Sequence, residues 1–105
     1  MFARLTFIKL SAENTDHVKK IFNEEIVPVV RSQKGNLGCW LLEPTNAYDD
    51  YISLTEWTSS SEAEAYHSSG TYQTLIDKVK TYFSAKPALK TYNVAESNIS
   101  VTATH

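Results

Sequence analysis

One stretch of this chain cannot be covered by a single layer of structure. Residues Leu37–Glu43 read as a β-strand, and side chains along a strand alternate between its two faces. Leu37, Cys39 and Leu41 then share one face, while Gly38, Trp40 and Leu42 share the other. Residues 2–10 behave similarly, with Phe2, Arg4, Thr6, Ile8 and Leu10 on one side and Ala3, Leu5, Phe7 and Lys9 on the other. A sheet that is apolar on both faces needs cover on both. A chain of 105 residues supplies one core and one helical layer. The simplest second cover is the same sheet from another copy, which predicts an isologous homodimer.

The remaining segments fit that architecture. Asn14 or Thr15 is expected to cap a first helix, in which Val18, Ile21, Phe22, Ile26, Val29 and Val30 recur at helical spacing. Pro28 falls inside this pattern, so the helix either kinks there or ends in an irregular turn. A turn at 34–36 leads into the second strand, and a polar loop at 44–50 leads into a third strand at Tyr51–Trp57. Hydroxyls at 58–61 precede Glu62 and Glu64, acids suited to the first turn of a helix. Beyond Gly70, a second helical stretch carries Tyr72, Leu75, Ile76, Val79 and Phe83 on one stripe, and Leu89–Glu96 reads as a fourth strand. The order β-α-β-β-α-β predicts an α+β, ferredoxin-like fold with an antiparallel sheet, closed by its partner into a dimeric α/β barrel. One domain is expected over 1–96, with 97–105 a tail that is either disordered or an extra strand.

Composition removes several classes of function. The net charge of −2 and pI of about 5.9 lack the basic excess of a nucleic-acid binder. No apolar run approaches the length of a membrane span, and the first ten residues lack the apolar core of a signal peptide. With a single cysteine, Cys39, no internal disulfide forms, and a cytoplasmic location is expected. His17, His67 and His105 have no partner at metal-ligand spacing, so no metal is expected. There is no phosphate-binding glycine loop and no nucleophile elbow. Cys39 reads as a small buried hydrophobe.

An aromatic and polar cluster remains. Glu56 and Trp57 end the third strand, Tyr66 and His67 follow on a helix, and Tyr72 opens the next stretch. Ala63, Tyr66, His67 and Gly70 are spaced to share one helix face, which should look at the sheet. A cavity there would have flat walls and a few hydrogen-bonding tips. The same aromatics could equally be packed core with satisfied polar tips.

These segments resemble the antibiotic biosynthesis monooxygenase family, including its quinol monooxygenases. The resemblance is carried by Ile26-Val27-Pro28-Val29-Val30, by Gly35-Asn36-Leu37-Gly38 (similar to the family's G-x-x-G), and by Glu56-Trp57 followed by Ser61-Glu62-Ala63 and Tyr66-His67-Ser68-Ser69-Gly70-Thr71-Tyr72. Counted from Trp57, the family's helix histidine falls on Tyr66 and its second histidine on Thr71. The histidine that ligates iron in the haem-degrading branch falls near Ile76, and Arg4 or Thr6 stands where that branch has an asparagine.

The resemblance implies a cofactor-independent monooxygenase acting with O2 on a small electron-rich aromatic such as a quinol or anthrone. In that reading His67 is the general base and Tyr66 donates a hydrogen bond to the developing oxyanion. Arg4 supplies positive charge unless it snorkels to solvent from an edge. Trp57, Tyr72, Phe22 and Trp40 contact the substrate. The alternatives are a non-catalytic small-molecule-binding protein of the same fold and an isomerase-type relative, which would need a polar, anion-binding pocket.

Overall fold

The computed structural model describes residues 1–95; the expected tail at 97–105 lies outside them. The strands are β1 (Phe2–Ile8), β2 (Asn36–Leu42), β3 (Tyr51–Trp57) and β4 (Ala88–Asn93). They form one antiparallel sheet in the order β2-β3-β1-β4. Helices α1 (Thr15–Ile21) and α2 (Val27–Arg31), joined by a π-helical turn at Phe22–Ile26, and α3 (Ser60–His67) and α4 (Gly70–Asp77) complete the fold. The arrangement is the expected ferredoxin-like α+β fold, with the sheet open at β2 and β4.

The π-turn answers the question posed by Pro28. Proline has no N–H and its ring collides with the carbonyl four residues back. Just before Pro28 the backbone widens, and Val27 N–H bonds to Phe22 O, five residues back. The wider turn also keeps the buried stripe in line. Val18, Phe22, Ile26 and Val30 are all buried and stand four residues apart. From Val18 to Val30 a pure α-helix, at about 3.6 residues per turn, would carry such a stripe roughly 120° around its axis. A turn with i→i+5 bonding removes much of that drift.

Helix starts differ in detail from expectation. Neither Asn14 nor Thr15 caps α1 through its side chain. A 3-10 turn at Ala12–Asn14 leads in, and Asn14 Nδ2 donates to Ser11 Oγ instead. At α3 the cap is Ser59, whose Oγ accepts from Glu62 N–H at 3.3 Å. Ser69 caps α4 in the same way. That second cap divides the helical region at Ser68–Ser69, so Gly70 begins a new helix and does not continue the face of Ala63 and Tyr66.

Two glycines set the approach to β2. Gly35 sits at φ +82°, in the left-handed region, and a Cβ there would collide with Glu62. Its carbonyl accepts from Thr58 N–H at 2.9 Å, tying the turn to the start of α3. Gly38 lies under the ring of Trp40, which occupies the space a Cβ would need. Between Asn36 and Gly38 the register slips by one residue, and Asn36 Nδ2 bridges the bulge to Gly38 O and Glu56 O.

The core lies between the sheet and the helices: Val18, Phe22, Ile26, Val30, Trp57, Ala63, Tyr66, Leu75 and Val79. On the opposite face Leu5, Phe7, Ile52 and Leu54 are half-buried, and Trp40, Leu42 and Tyr92 are exposed. The open face is therefore largely apolar, as the alternation in β1 and β2 predicts, with Glu56 and Lys90 its charged exceptions. Among the described residues no helix is long and apolar enough to cross a membrane.

Candidate functional site

The antiparallel register builds the floor of the site. Arg4 stands opposite Thr55 on β3 and Thr91 on β4, and Thr6 stands opposite Ser53. Since side chains alternate, Arg4, Thr6, Ser53 and Thr55 point together at the helices. The cavity above them is walled by Phe22 and Ile26 of the π-turn, Tyr66 of α3, and Tyr72, Leu75 and Ile76 of α4, with Cys39 and Leu41 on the β2 side. It encloses about 60 Å³, well below the roughly 300–1,000 Å³ of ordinary ligand pockets. All five members of the expected stripe, Tyr72, Leu75, Ile76, Val79 and Phe83, line it.

Arg4 is the charged group of this interior and is only 7% exposed. β1 is a central strand, so Arg4 does not snorkel from an edge. Its Nη1 donates to Ala63 O at 3.1 Å, and its guanidinium carbon lies 6.0 Å from the centre of the Phe2 ring. Its Nε is shielded from solvent and has no partner. Among the described residues, none of the side chains lining the cavity is an acid.

An aromatic chain runs along one side. Trp57 is fully buried, stacks on Tyr66 at 5.2 Å and donates from Nε1 to Thr55 Oγ1 at 2.9 Å. Tyr66 meets Tyr72 edge-on at 5.6 Å, and Tyr72 meets His67 at 4.2 Å. Burial pushes the phenols of Tyr66 and Tyr72 up, and nearby Arg4 opposes this only in part. Burial, aided by the Arg4 charge, moves His67 below its ordinary value. Burial raises the Cys39 thiol to about 11, so it behaves as a neutral wall, not as a nucleophile.

The predicted site residues therefore separate. Arg4, Tyr66, Tyr72 and Phe22 meet in the cavity. Trp57 stands behind Tyr66 and supports it, and does not itself form a wall. His67 does not line the cavity; it flanks Tyr72, with a shielded Nδ1 that has no partner. Trp40 is on the wrong face of the sheet for this cavity, because strand alternation puts it with Gly38 on the open side. The hydroxyls of Thr6, Ser53 and Thr55 were missed as part of the site. Their signal was the register pairing Arg4 and Thr6 with β3. The described residues contain no cluster of three or more His, Cys, Asp or Glu able to hold a metal ion.

Comparison with known proteins agrees with this fold. A structure named as an antibiotic biosynthesis monooxygenase from Deinococcus radiodurans superposes with a TM-score of 0.79 at 18% identity, covering 94% of this chain and 98% of that one. A similarly named protein from Nitrosomonas europaea gives 0.78 at 14% identity, over 91% and 100% of the two chains. The haem degrader MhuD from Mycobacterium tuberculosis, solved with two haems in its active site, gives 0.75 at 18% identity, over 93% and 99%. No curated protein matches the sequence. The profile of the antibiotic biosynthesis monooxygenase family matches residues 1–78, and the chain belongs to that family.

Proposed function

We propose that this protein is a cofactor-independent monooxygenase that works as a cytoplasmic homodimer and oxidises a small electron-rich aromatic with O2. The observation that carries this reading is the apolar cavity in which flat walls (Phe22, Tyr66, Tyr72) surround one buried cation, Arg4. A quinol supplies all the electrons such a reaction needs. It gives two on becoming the quinone and two on exchanging a ring C–H for C–OH. Dioxygen takes these four; one oxygen atom stays on the ring and the other leaves as water. The protein binds the ring, stabilises its anionic form and keeps the site dry.

Each residue has a definite part in this reading. Arg4 stabilises negative charge on the substrate, and Tyr66, held protonated, donates to the oxyanion. His67, lowered in pKa, lies against the Tyr72 ring at 4.2 Å and accepts a proton once the cavity widens past Tyr72 to reach it. A ring is admitted by widening the cavity, and the helical cover is already divided at the π-turn and at Ser68–Ser69. The apolar outer face, Leu5, Phe7, Ile52 and Leu54 with Trp40 and Leu42, is the surface that a second copy covers.

The donor set argues against haem. Cys39, Tyr66 and Tyr72 are the cavity side chains that ligate haem iron as anions elsewhere, and burial favours the neutral form of all three. Ile76 lines the cavity on α4, where the resemblance to the haem-degrading branch calls for histidine.

The test is oxygen uptake by the purified protein with a panel of quinols and anthrones, against the same panel under anaerobic conditions. Uptake above the buffer rate is expected, with stoichiometric hydroxyquinone from a quinol or anthraquinone from an anthrone. Product formed at an unchanged rate without oxygen, or no uptake at all, contradicts the reading. The placement of His67 outside the cavity wall favours a second reading, a non-catalytic binder of small aromatics. For that protein the ligand binds but consumes no oxygen.

A further inference from the structure

Arg4 is the least expected residue of the interior. A buried charge is costly unless it is paired and hydrogen-bonded. Here one N–H is satisfied by Ala63 O at 3.1 Å, while Nε is shielded and without a partner among the described residues, on a side chain that lines an apolar cavity. The four salt bridges among the described residues join other groups. Thr55 and Thr91, opposite Arg4 in the register, carry hydroxyls, which bring no compensating charge. The guanidinium thus has an N–H left unmet, a position only 7% exposed, and no counterion among the described residues.

We propose that the cavity, once widened beyond its 60 Å³, takes a planar aromatic carboxylate, with the carboxylate meeting the unpartnered edge of the Arg4 guanidinium and the ring between Phe22, Tyr66 and Tyr72. This rests on the reading of the cavity as the substrate site, and it names the class of substrate. A guanidinium presents adjacent N–H groups in a fixed plane, which matches the two oxygens of a carboxylate. The protein's own phenols show why a phenol alone is a poorer partner. Tyr66 and Tyr72 both feel Arg4, and burial still moves them toward the neutral form. A carboxylate starts from a pKa about six units lower than a phenol, so it arrives at neutral pH already charged and neutralises Arg4 on binding.

Ligand-observed NMR titration with benzoate and benzamide tests this, because the two share shape and differ in charge. Wild-type protein should bind benzoate about tenfold tighter or more. The preference should vanish in Arg4→Met and be retained in part in Arg4→Lys, which keeps the charge but loses the fork. Equal binding of the two probes by wild type, or binding of neither, overturns the proposal, and neither result requires a variant to fold. Oxygen uptake with uncharged quinols but no preference for benzoate removes this inference and leaves the oxygenase reading standing. A clear preference for benzoate with no oxygen uptake does the reverse.

Discussion

The two faces of the sheet carry the wrong polarity for a protein that stands alone. Beside its apolar Phe2, Ile8 and Trp57, the face under the helices holds Arg4, Thr6, Ser53 and Thr55 in a band across β1 and β3, while the face left open holds Leu5, Phe7, Ile52 and Leu54, with Glu56 and Lys90 as its charged members. A sheet with one wet side ordinarily shows the reverse. The inversion separates two tasks. Polar groups inside, each carrying a desolvation penalty, make sense where a ligand meets them. Apolar groups outside make sense where another sheet meets them.

The largest expected effect comes from the frame that supports the inner face. Trp57 is fully buried, stacked on Tyr66 and bonded to Thr55. Trp57→Ala should lower stability by about 3–5 kcal/mol, read by urea unfolding, and should loosen Tyr66. A loss below about 1 kcal/mol would mean that the aromatic chain is not a structural unit.

The outer face comes next. Leu54 lies mid-sheet, beside Leu5 and Trp40 in the register. In the dimer proposed above, Leu54→Arg should weaken association about a hundredfold, since a charge is then buried in the contact. Sedimentation velocity should show a monomer that keeps the wild-type far-UV spectrum. An unchanged dimer would move the interface elsewhere and break the comparison of the faces.

The smallest effect concerns His67. Its pKa is lowered in the fold, so the unfolded chain takes up the proton first as pH falls. Stability should decline as pH drops below about 6.5 and level off below the folded-state value. His67→Gln should flatten that part of the pH–stability curve, as followed by thermal melts from pH 7 to pH 5. If His67 is the base, the acid limb of the rate profile should also lie below the ordinary histidine value, and the variant should lose most of the rate.

Much of this was legible in the sequence, and the failures have physical causes. Period-two alternation in β1 and β2 gave both faces, including the largely apolar open one. The stripe of Tyr72, Leu75, Ile76, Val79 and Phe83 named one wall of the cavity, although the helix expected to carry all five ends at Asp77 and a 3-10 turn at Lys80–Tyr82 leads to an extended Phe83. Alternation also contained the correction for Trp40, since Trp40 and Cys39 must point opposite ways; the weight given to aromatic character overrode it. Tyr66 and His67 were harder to order, because a step of one residue turns a helix by about 100° and decides which of them faces inward. The π-turn was visible only as a conflict between Pro28 and an unbroken apolar stripe. The position of Arg4 depended on strand order. Its local sequence fitted an exposed edge as well as a buried centre, and only the pairing of β1 with both β3 and β4 separates the two.

The central claim is that Arg4 serves a ligand at some cost to the fold. Equilibrium unfolding of Arg4→Met beside wild type, in the absence of ligand, tests it most directly. A buried charge without a counterion among the described residues, replaced by an apolar chain of similar length, should make the protein more stable, by about 1–3 kcal/mol. A clear loss of stability in the variant would show that Arg4 holds the structure together, and would contradict the account.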